Sequence, residues 1–246
     1  EKEKIMRQII DRMIGNLNET ISKNRVYATQ LKKRKSHGWE SEKKEEKVLD
    51  YPDIDGKQFD GDVCRGAAIL IQQPELDAAL LHAICLAPFV VYTMNSMNSG
   101  IFAWRWLLAA RPEYLMNVMI ELRDAWVWTI EERIGLFSDM ERPPSPLSII
   151  QNQASAQCSD DMDEAEKFQK RASCILPHGL FIDWILEFFP VVMSSGGSEE
   201  KGVIEEMLVA ALKRPHHFSI LRESMGARFR FLLFCFEFLH GKHAST

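Results

Sequence analysis

The sequence is poor in the features that mark secreted, membrane-spanning or nucleic-acid-binding proteins. Its 5 cysteines, at positions 64, 85, 158, 174 and 235, are scattered and odd in number, which argues against a disulfide framework and indicates a reducing compartment. Lys and Arg total 30 against 35 Asp and Glu, a net charge of -5, so nucleic acid is not expected as the main ligand. The longest weakly polar stretch, residues 78–92, contains His82 and Pro88 and is shorter than the roughly 18 apolar residues of a membrane-spanning helix. Membrane contact is therefore expected to be peripheral or indirect.

Motifs for phosphoryl transfer, metal binding and nucleophilic catalysis are missing or incomplete. The stretch Gly197–Gly202 has the glycine spacing of a phosphate-binding loop, but Val203 and Ile204 stand where that loop requires Lys and Ser or Thr. His216–His217 are adjacent, so a helix would point their side chains about 100° apart, which favours a surface position over a metal site. No GxSxG, HExxH or CxxC occurs. The sequence therefore predicts no catalytic, cofactor-binding or metal-ligating residue in this segment.

Apolar residues instead recur at helical spacing along most of the chain. Ile5, Ile9, Met13, Leu17 and Ile21 follow at four-residue steps, which predicts an N-terminal amphipathic helix within residues 1–31. Alternation with the period of a β-strand is absent outside short apolar runs. With 46% hydrophobic residues the chain has ample material for a core. The prediction is an all-α fold.

Two polar segments interrupt the helical patterns. Residues 32–62 begin with Lys32–Lys35 and continue with mixed charges, which favours a charged linker or mobile loop over a nuclear-import signal. Residues 138–176 are rich in Pro, Ser and acidic residues and are predicted to be disordered. The remaining ranges, 63–137 and 177–246, read as antiparallel helix pairs of about 40 residues, as in a HEAT- or armadillo-like helical solenoid.

Several single residues carry specific expectations. Pro88 is expected to end one helix and Gly135 another. Between them a helix is predicted from about Ser99 to Ala110, with an apolar stripe through Phe102, Trp106 and Leu107.

His82 lies in an apolar stretch and is expected to be a hydrogen-bonded core histidine. Cys85 and Cys235 lie in apolar runs and are expected to be buried. The tryptophans are expected to pack between helices, but Trp104 and Trp128 lie off the main apolar stripes and are candidate partner anchors.

A basic stretch near the C-terminus is the one candidate binding patch. It contains a single acid, Glu223, and five cations: Lys213, Arg214, Arg222, Arg228 and Arg230. Such a patch suits anionic lipid or an acidic partner surface. A solenoid ridge with salt bridges between helices is the favoured alternative.

Five blocks of residues, taken in order, resemble the helical region of the type III alpha phosphatidylinositol 4-kinases. The third block, Ala-Trp-Val-Trp-Thr-Ile-Glu, is the most specific. The blocks are Leu81–Pro88, Trp104–Ala109, Ala125–Glu131 with Gly135–Ser138, Ile182–Trp184, and Gly226–Leu233 ending near Leu239 and His240. None of them is a catalytic motif, so the resemblance carries over no active-site residue.

The resemblance implies a larger parent enzyme that transfers the γ-phosphate of ATP, with Mg²⁺, to the 4-hydroxyl of phosphatidylinositol. This segment would then be a non-catalytic scaffold in the cytoplasm, recruited to the plasma membrane. Its implied partners are a tetratricopeptide-repeat scaffold protein, a hyccin-like protein and a lipid-anchored adaptor, with a homodimer of the assembly. Residue 1 is Glu rather than Met, as expected for a piece of a longer protein. The alternative is a free-standing HEAT-like adaptor without a kinase.

Overall fold

The fold is helical throughout the part of the chain that the structure describes. A computed structural model describes residues 2–36, 56–137, 176–195, 197–212 and 233. No strand occurs in these ranges, so the all-α prediction is confirmed for them. The chain divides into two compact units, Glu1–Leu122 (unit 1) and Arg123–Thr246 (unit 2).

The described residues form seven α-helices and two short 3₁₀ turns. The turns are Pro112–Tyr114 and Gly135–Phe137. The helices are α1 (Lys2–Ser36), α2 (Gly56–Gln72), α3 (Ala78–Val91), α4 (Met94–Ala110), α5 (Leu115–Glu131), α6 (Leu176–Ser195) and α7 (Ser198–Leu212).

The predicted polar segments are shorter than expected where the structure describes their ends. The linker was predicted over residues 32–62, but α1 continues through Ser36 and α2 already begins at Gly56. Lys and Arg are good helix formers, so the cationic run at 32–35 extends α1. Residues 37–55 and 138–175 lie outside the described residues, as does the end of the predicted helical range, residues 213–246, apart from Leu233.

Unit 1 is held together by contacts between neighbouring helices and between every second helix. α1 packs on α3 and α2 on α4, while α1 with α2, α2 with α3, and α3 with α4 also touch. Fully buried side chains from the packed helices, among them Leu70, Leu80 and Met97, form its core. This pattern is the one that stacked helix pairs make. It is compatible with a HEAT-like solenoid, which stays a prediction.

The buried face of α1 differs from the predicted stripe at its start. Met13, Leu17 and Ile21 are buried as expected, but Ile5 and Ile9 are 52% and 43% exposed. The reason is geometric, since a strict four-residue step rotates by about 40° per step around a helix and drifts off the contact face.

Pro88 lies inside α3 and does not end it, contrary to the expectation. The helix continues to Val91 and ends at Tyr92, which has a left-handed φ of 54°. Proline has no N–H, so the carbonyl of Ile84, four residues earlier, lacks its helical donor. The Trp104 indole Nε1–H from α4 donates to that carbonyl at 3.3 Å. A neighbouring helix thus supplies the hydrogen bond that the proline removes.

Side chains outside the apolar stripes fix several helix ends. Thr93 and Ser96 form a reciprocal capping box at the start of α4, five residues before the predicted start. At the other end of α4, the Arg111 guanidinium donates to the carbonyls of Ile71 at 3.1 Å and Gln73 at 2.7 Å. These carbonyls lie at the C-terminal end of α2, where a helix leaves its acceptors unsatisfied.

The end of α5 is also set by a residue other than the predicted one. Arg133 has a left-handed φ of 56°, and its N–H donates to Ile130 O at 3.3 Å while that of Ile134 donates to Thr129 O at 2.9 Å. These two bonds make a Schellman motif with a non-glycine residue at its left-handed position. Gly135, with φ 57°, opens the following 3₁₀ turn, so the predicted stop was two residues late.

Candidate functional site

The first resemblance block, Leu81–Pro88, is a stretch of helix core. All its side chains except that of His82 are buried in unit 1. The prediction that His82 is a core histidine was wrong, because its side chain is 52% exposed and its Nδ1 lies 2.7 Å from Glu121 Oε2. The block therefore packs α3 against its neighbours and presents one imidazole to solvent.

The second block places one tryptophan inside unit 1 and one at its surface. Trp104 is fully buried and stacks on Phe89 with ring centroids 6.0 Å apart, so its prediction as a partner anchor was wrong. Trp106 is 44% exposed, and Phe102, one turn earlier on α4, is 62% exposed. The predicted α4 stripe through Phe102 and Trp106 was therefore displaced, and these two rings form an exposed aromatic pair.

The third block supplies the centre of unit 2. Trp126 lies with its ring centroid 5.1 Å from that of Phe137, 5.0 Å from His178 and 5.5 Å from Phe181. Its indole Nε1–H donates to Met207 O on α7 at 3.2 Å. The fourth block, represented by Trp184, adds a ring that stacks further along α6. Trp128 is half-buried, and its role as a partner anchor stays a prediction.

His178 is a buried residue that the sequence patterns did not single out. It is fully buried, and its Nδ1 accepts the Leu136 N–H at 3.1 Å. Burial lowers the pKa of this imidazole from 6.5 to about 3. The ring is therefore neutral at physiological pH and ties α6 to the 3₁₀ turn after α5. In the sequence, the feature that could have indicated its burial was its position two residues after the start of an apolar helix.

The two cysteines among the described residues, Cys64 and Cys85, both have thiols with raised pKa values. Cys85 is buried as predicted, and burial holds the pKa of its thiol well above the usual value. Burial, and then the nearby Asp60, also raise the pKa of the Cys64 thiol. No group of three His, Cys, Asp or Glu side chains able to hold a metal ion occurs among the residues described. A thiol kept protonated is a poor nucleophile.

A groove in unit 1 lies between α1 and α2. It has a volume of about 580 Å³. Its lining residues are Ile9, Arg12, Met13, Asn16, Lys57, Gln58, Asp62 and Arg65. The lining combines apolar side chains with three cations and one carboxylate, a composition that suits a binding surface.

Two further sequence expectations bear on membranes and anions. The predicted basic patch, Lys213, Arg214, Arg222, Arg228 and Arg230, lies outside the described residues. Among the described helices, none combines the length and the apolar character that crossing a bilayer requires.

Comparisons with known proteins place the chain in a family. Residues 46–246, more than half of the chain, match the family of the PI4-kinase N-terminal region. Phosphatidylinositol 4-kinase alpha 1 of Arabidopsis thaliana is 31% identical over 120 residues, which are 49% of this chain and 6% of that protein. Phosphatidylinositol 4-kinase STT4 of Saccharomyces cerevisiae is 30% identical over 71 residues, 29% of this chain and 4% of that protein.

The matched segments are thus a small part of each relative, 6% and 4% of its length. The family match nevertheless covers α2 to α7. It also covers the blocks on which the resemblance rests, four of which lie within the described residues. The chain belongs to the family of PI4-kinase N-terminal regions.

Proposed function

We propose that this chain is a non-catalytic helical scaffold segment of a phosphatidylinositol 4-kinase. In this proposal it binds partner proteins, contributes to dimerisation and positions a kinase domain located elsewhere in the parent polypeptide. The observation that carries the proposal is the family match over residues 46–246. The use of the first and third blocks mainly as helix core supports it, because packing residues specify a rigid spacer and leave the surface for partners.

The parent reaction converts ATP and phosphatidylinositol into phosphatidylinositol 4-phosphate and ADP. The described residues do not fit the Mg²⁺ that this reaction uses, since they contain no cluster of three possible metal ligands. Phosphoryl transfer also requires groups that hold the metal and the phosphates in line. We therefore propose that ATP and Mg²⁺ bind in another part of the parent and that this chain performs no catalytic step.

The proposed partners are a tetratricopeptide-repeat scaffold protein, a hyccin-like protein and a lipid-anchored adaptor at the plasma membrane. The exposed pair Phe102 and Trp106 on α4 supports a partner-binding role. Large aromatic side chains dominate the binding energy of many protein interfaces. Exposed Arg105 lies between them in the sequence and adds a charged group of a type enriched at such sites.

The test uses the full-length parent protein carrying Phe102→Ser and Trp106→Ser together. We expect less co-purification with the tetratricopeptide-repeat partner and unchanged turnover of phosphatidylinositol in detergent micelles, because partner binding and chemistry lie in different parts. The matched control is Asn95→Ser with Asn98→Ser, two exposed polar positions on the same helix.

Two results would contradict the proposal. Loss of micellar turnover with partner binding intact would give the segment a part in catalysis. A messenger RNA in which no lipid-kinase core follows this segment would instead establish the free-standing adaptor.

A further inference from the structure

The groove between α1 and α2 is a surface that the family assignment leaves without a role. Ile9 and Met13 of α1 line it, and Ile9 is 43% exposed although it is a large apolar side chain. Ile5 lies one turn before Ile9 on the same helix face and is 52% exposed. An apolar strip about two turns long therefore runs along the groove and its continuation on α1.

The rim of the groove is cationic, although the chain as a whole is acidic. Arg12, Lys57 and Arg65 line it, and the chain carries a net charge of -5. Among the described lining residues, Asp62 is the one carboxylate, and its side chain is only 9% exposed. A ligand in the groove therefore meets mainly positive charge.

One of these cations is fixed in place by the helix that carries it. The Arg65 Nε–H donates to the Gly61 carbonyl at 2.9 Å, and its Nη2 lies 3.7 Å from Asp62 Oδ1. The side chain is nevertheless 66% exposed. A guanidinium that is already oriented loses less conformational freedom when it binds a carboxylate.

We propose that this groove binds an acidic, amphipathic peptide segment of a partner protein. The apolar residues of that segment pack on Ile9 and Met13, and its carboxylates face Arg12, Lys57 and Arg65. Amphipathic helices commonly bind in grooves between two helices of a partner in this way. The elongated apolar strip favours a peptide over a lipid headgroup, which needs cations converging on one phosphate. The inference rests on the groove alone and does not depend on the proposed kinase role.

The test measures fluorescence anisotropy of a labelled peptide made of three Glu-Glu-Leu-Leu repeats, titrated with the full 246-residue chain. We expect saturable binding that Arg12→Glu weakens by roughly tenfold, since it reverses a charge at the rim. The matched control, Lys4→Glu, makes the same change of charge at an exposed position of α1 outside the groove and should change the affinity less than about twofold.

The apolar contribution is tested separately with Ile9→Asn. Its control is Val209→Asn, a change at an apolar side chain of α7 that is 37% exposed. We expect Ile9→Asn to weaken peptide binding by roughly tenfold and Val209→Asn to leave it unchanged. Circular dichroism of each variant checks that its helix content equals that of the unsubstituted chain.

Three outcomes would overturn the proposal. One is the absence of saturable binding of the acidic peptide. Another is equal binding of a peptide made of three Lys-Lys-Leu-Leu repeats, which would indicate apolar adhesion without charge selection. The third is binding of phosphatidylserine vesicles that depends on Arg12 while the peptide does not bind, which would make the groove a membrane contact.

Discussion

At the scale of single residues, His178 makes the stability of unit 2 depend on pH. Burial lowers the pKa of its imidazole from 6.5 to about 3, so below pH 6.5 the unfolded chain binds a proton that the folded chain does not. The free energy of unfolding should therefore fall as pH falls from 6.5 towards 3, by up to about 1.4 kcal/mol per pH unit. Between pH 7 and pH 5, we expect this residue to lower the free energy of unfolding by roughly 2 kcal/mol. Urea unfolding followed by tryptophan fluorescence measures this change.

The control for this prediction is a side chain that accepts a hydrogen bond but does not titrate. His178→Gln should remove this part of the pH dependence, because its amide oxygen can still accept the Leu136 N–H. If stability depended equally on pH in the unsubstituted chain and in His178→Gln, His178 would not be the source of the pH dependence.

The two histidines also show where residue-level prediction from the sequence stops. His82 sits among apolar residues in the sequence, yet its position on α3 faces solvent and Glu121. His178 opens a helix beside a proline, and its burial comes from the 3₁₀ turn that packs over it, 42 residues earlier in the chain. Sequence neighbours did not reveal either environment, whereas Cys85 was predicted correctly because the apolar residues around it belong to a helix that is buried nearly all round.

At the scale of elements, the contact between α3 and α4 depends on a proline and a tryptophan acting together. Trp104→Phe removes the donor to the Ile84 carbonyl. It should lower the free energy of unfolding by about 1–3 kcal/mol, the penalty for an unsatisfied buried acceptor. Pro88→Ala restores a backbone N–H four residues after Ile84. The double variant should therefore be more stable than the sum of the two single changes by about 1 kcal/mol in urea unfolding.

A pair that should not couple is the control for this cycle. Gly15 is exposed on α1 and an added Cβ would have nothing within 4 Å, so Trp104→Phe with Gly15→Ala should be additive within about 0.5 kcal/mol. Additivity of Trp104→Phe with Pro88→Ala would show that the indole hydrogen bond does not replace the missing helical one.

The same helix contact requires a glycine on α4. A Cβ at Gly100 would lie 2.6 Å from Pro88 Cγ and 2.9 Å from Trp104 Cζ2. We expect Gly100→Ala to destabilise unit 1 by about 1–3 kcal/mol despite the better helix propensity of alanine. Gly15→Ala gains that propensity without a clash and should stabilise by up to about 1 kcal/mol. Thermal unfolding of both variants compares them, and stabilisation by Gly100→Ala would contradict the close approach.

The helices themselves were largely predictable, and their ends were less so. Apolar residues in α5 and α7 follow regular helical spacing, and Met119, Trp126 and Met207 among them are buried. The early start of α4 depends on a hydrogen-bonded pair, Thr93 and Ser96, which apolar periodicity does not register. The groove between α1 and α2 was not predicted, because it forms from two helices whose register is set only by packing.

At the scale of the whole molecule, the sequence breaks and the compact units do not coincide. The polar segments suggested a division within residues 138–176, but the boundary between the units falls at Leu122 and Arg123, inside α5. Helical periodicity is unbroken there, so nothing local marks the change. The division follows from which distant residues each half of the helix contacts, and a periodicity pattern contains no such information.

The two-unit division predicts that damage to one core stays within its unit. Trp126 contacts Phe137, His178 and Phe181, all in unit 2. Trp126→Ala should therefore lower the free energy of unfolding of unit 2 by about 3–5 kcal/mol. Hydrogen exchange followed by mass spectrometry should show faster exchange in α6 and α7 and little change in α2 and α3. Trp104→Ala is the reciprocal variant, with its effect on α2 and α3. Equal acceleration in all four helices after either change would mean that the 246 residues unfold as one cooperative body.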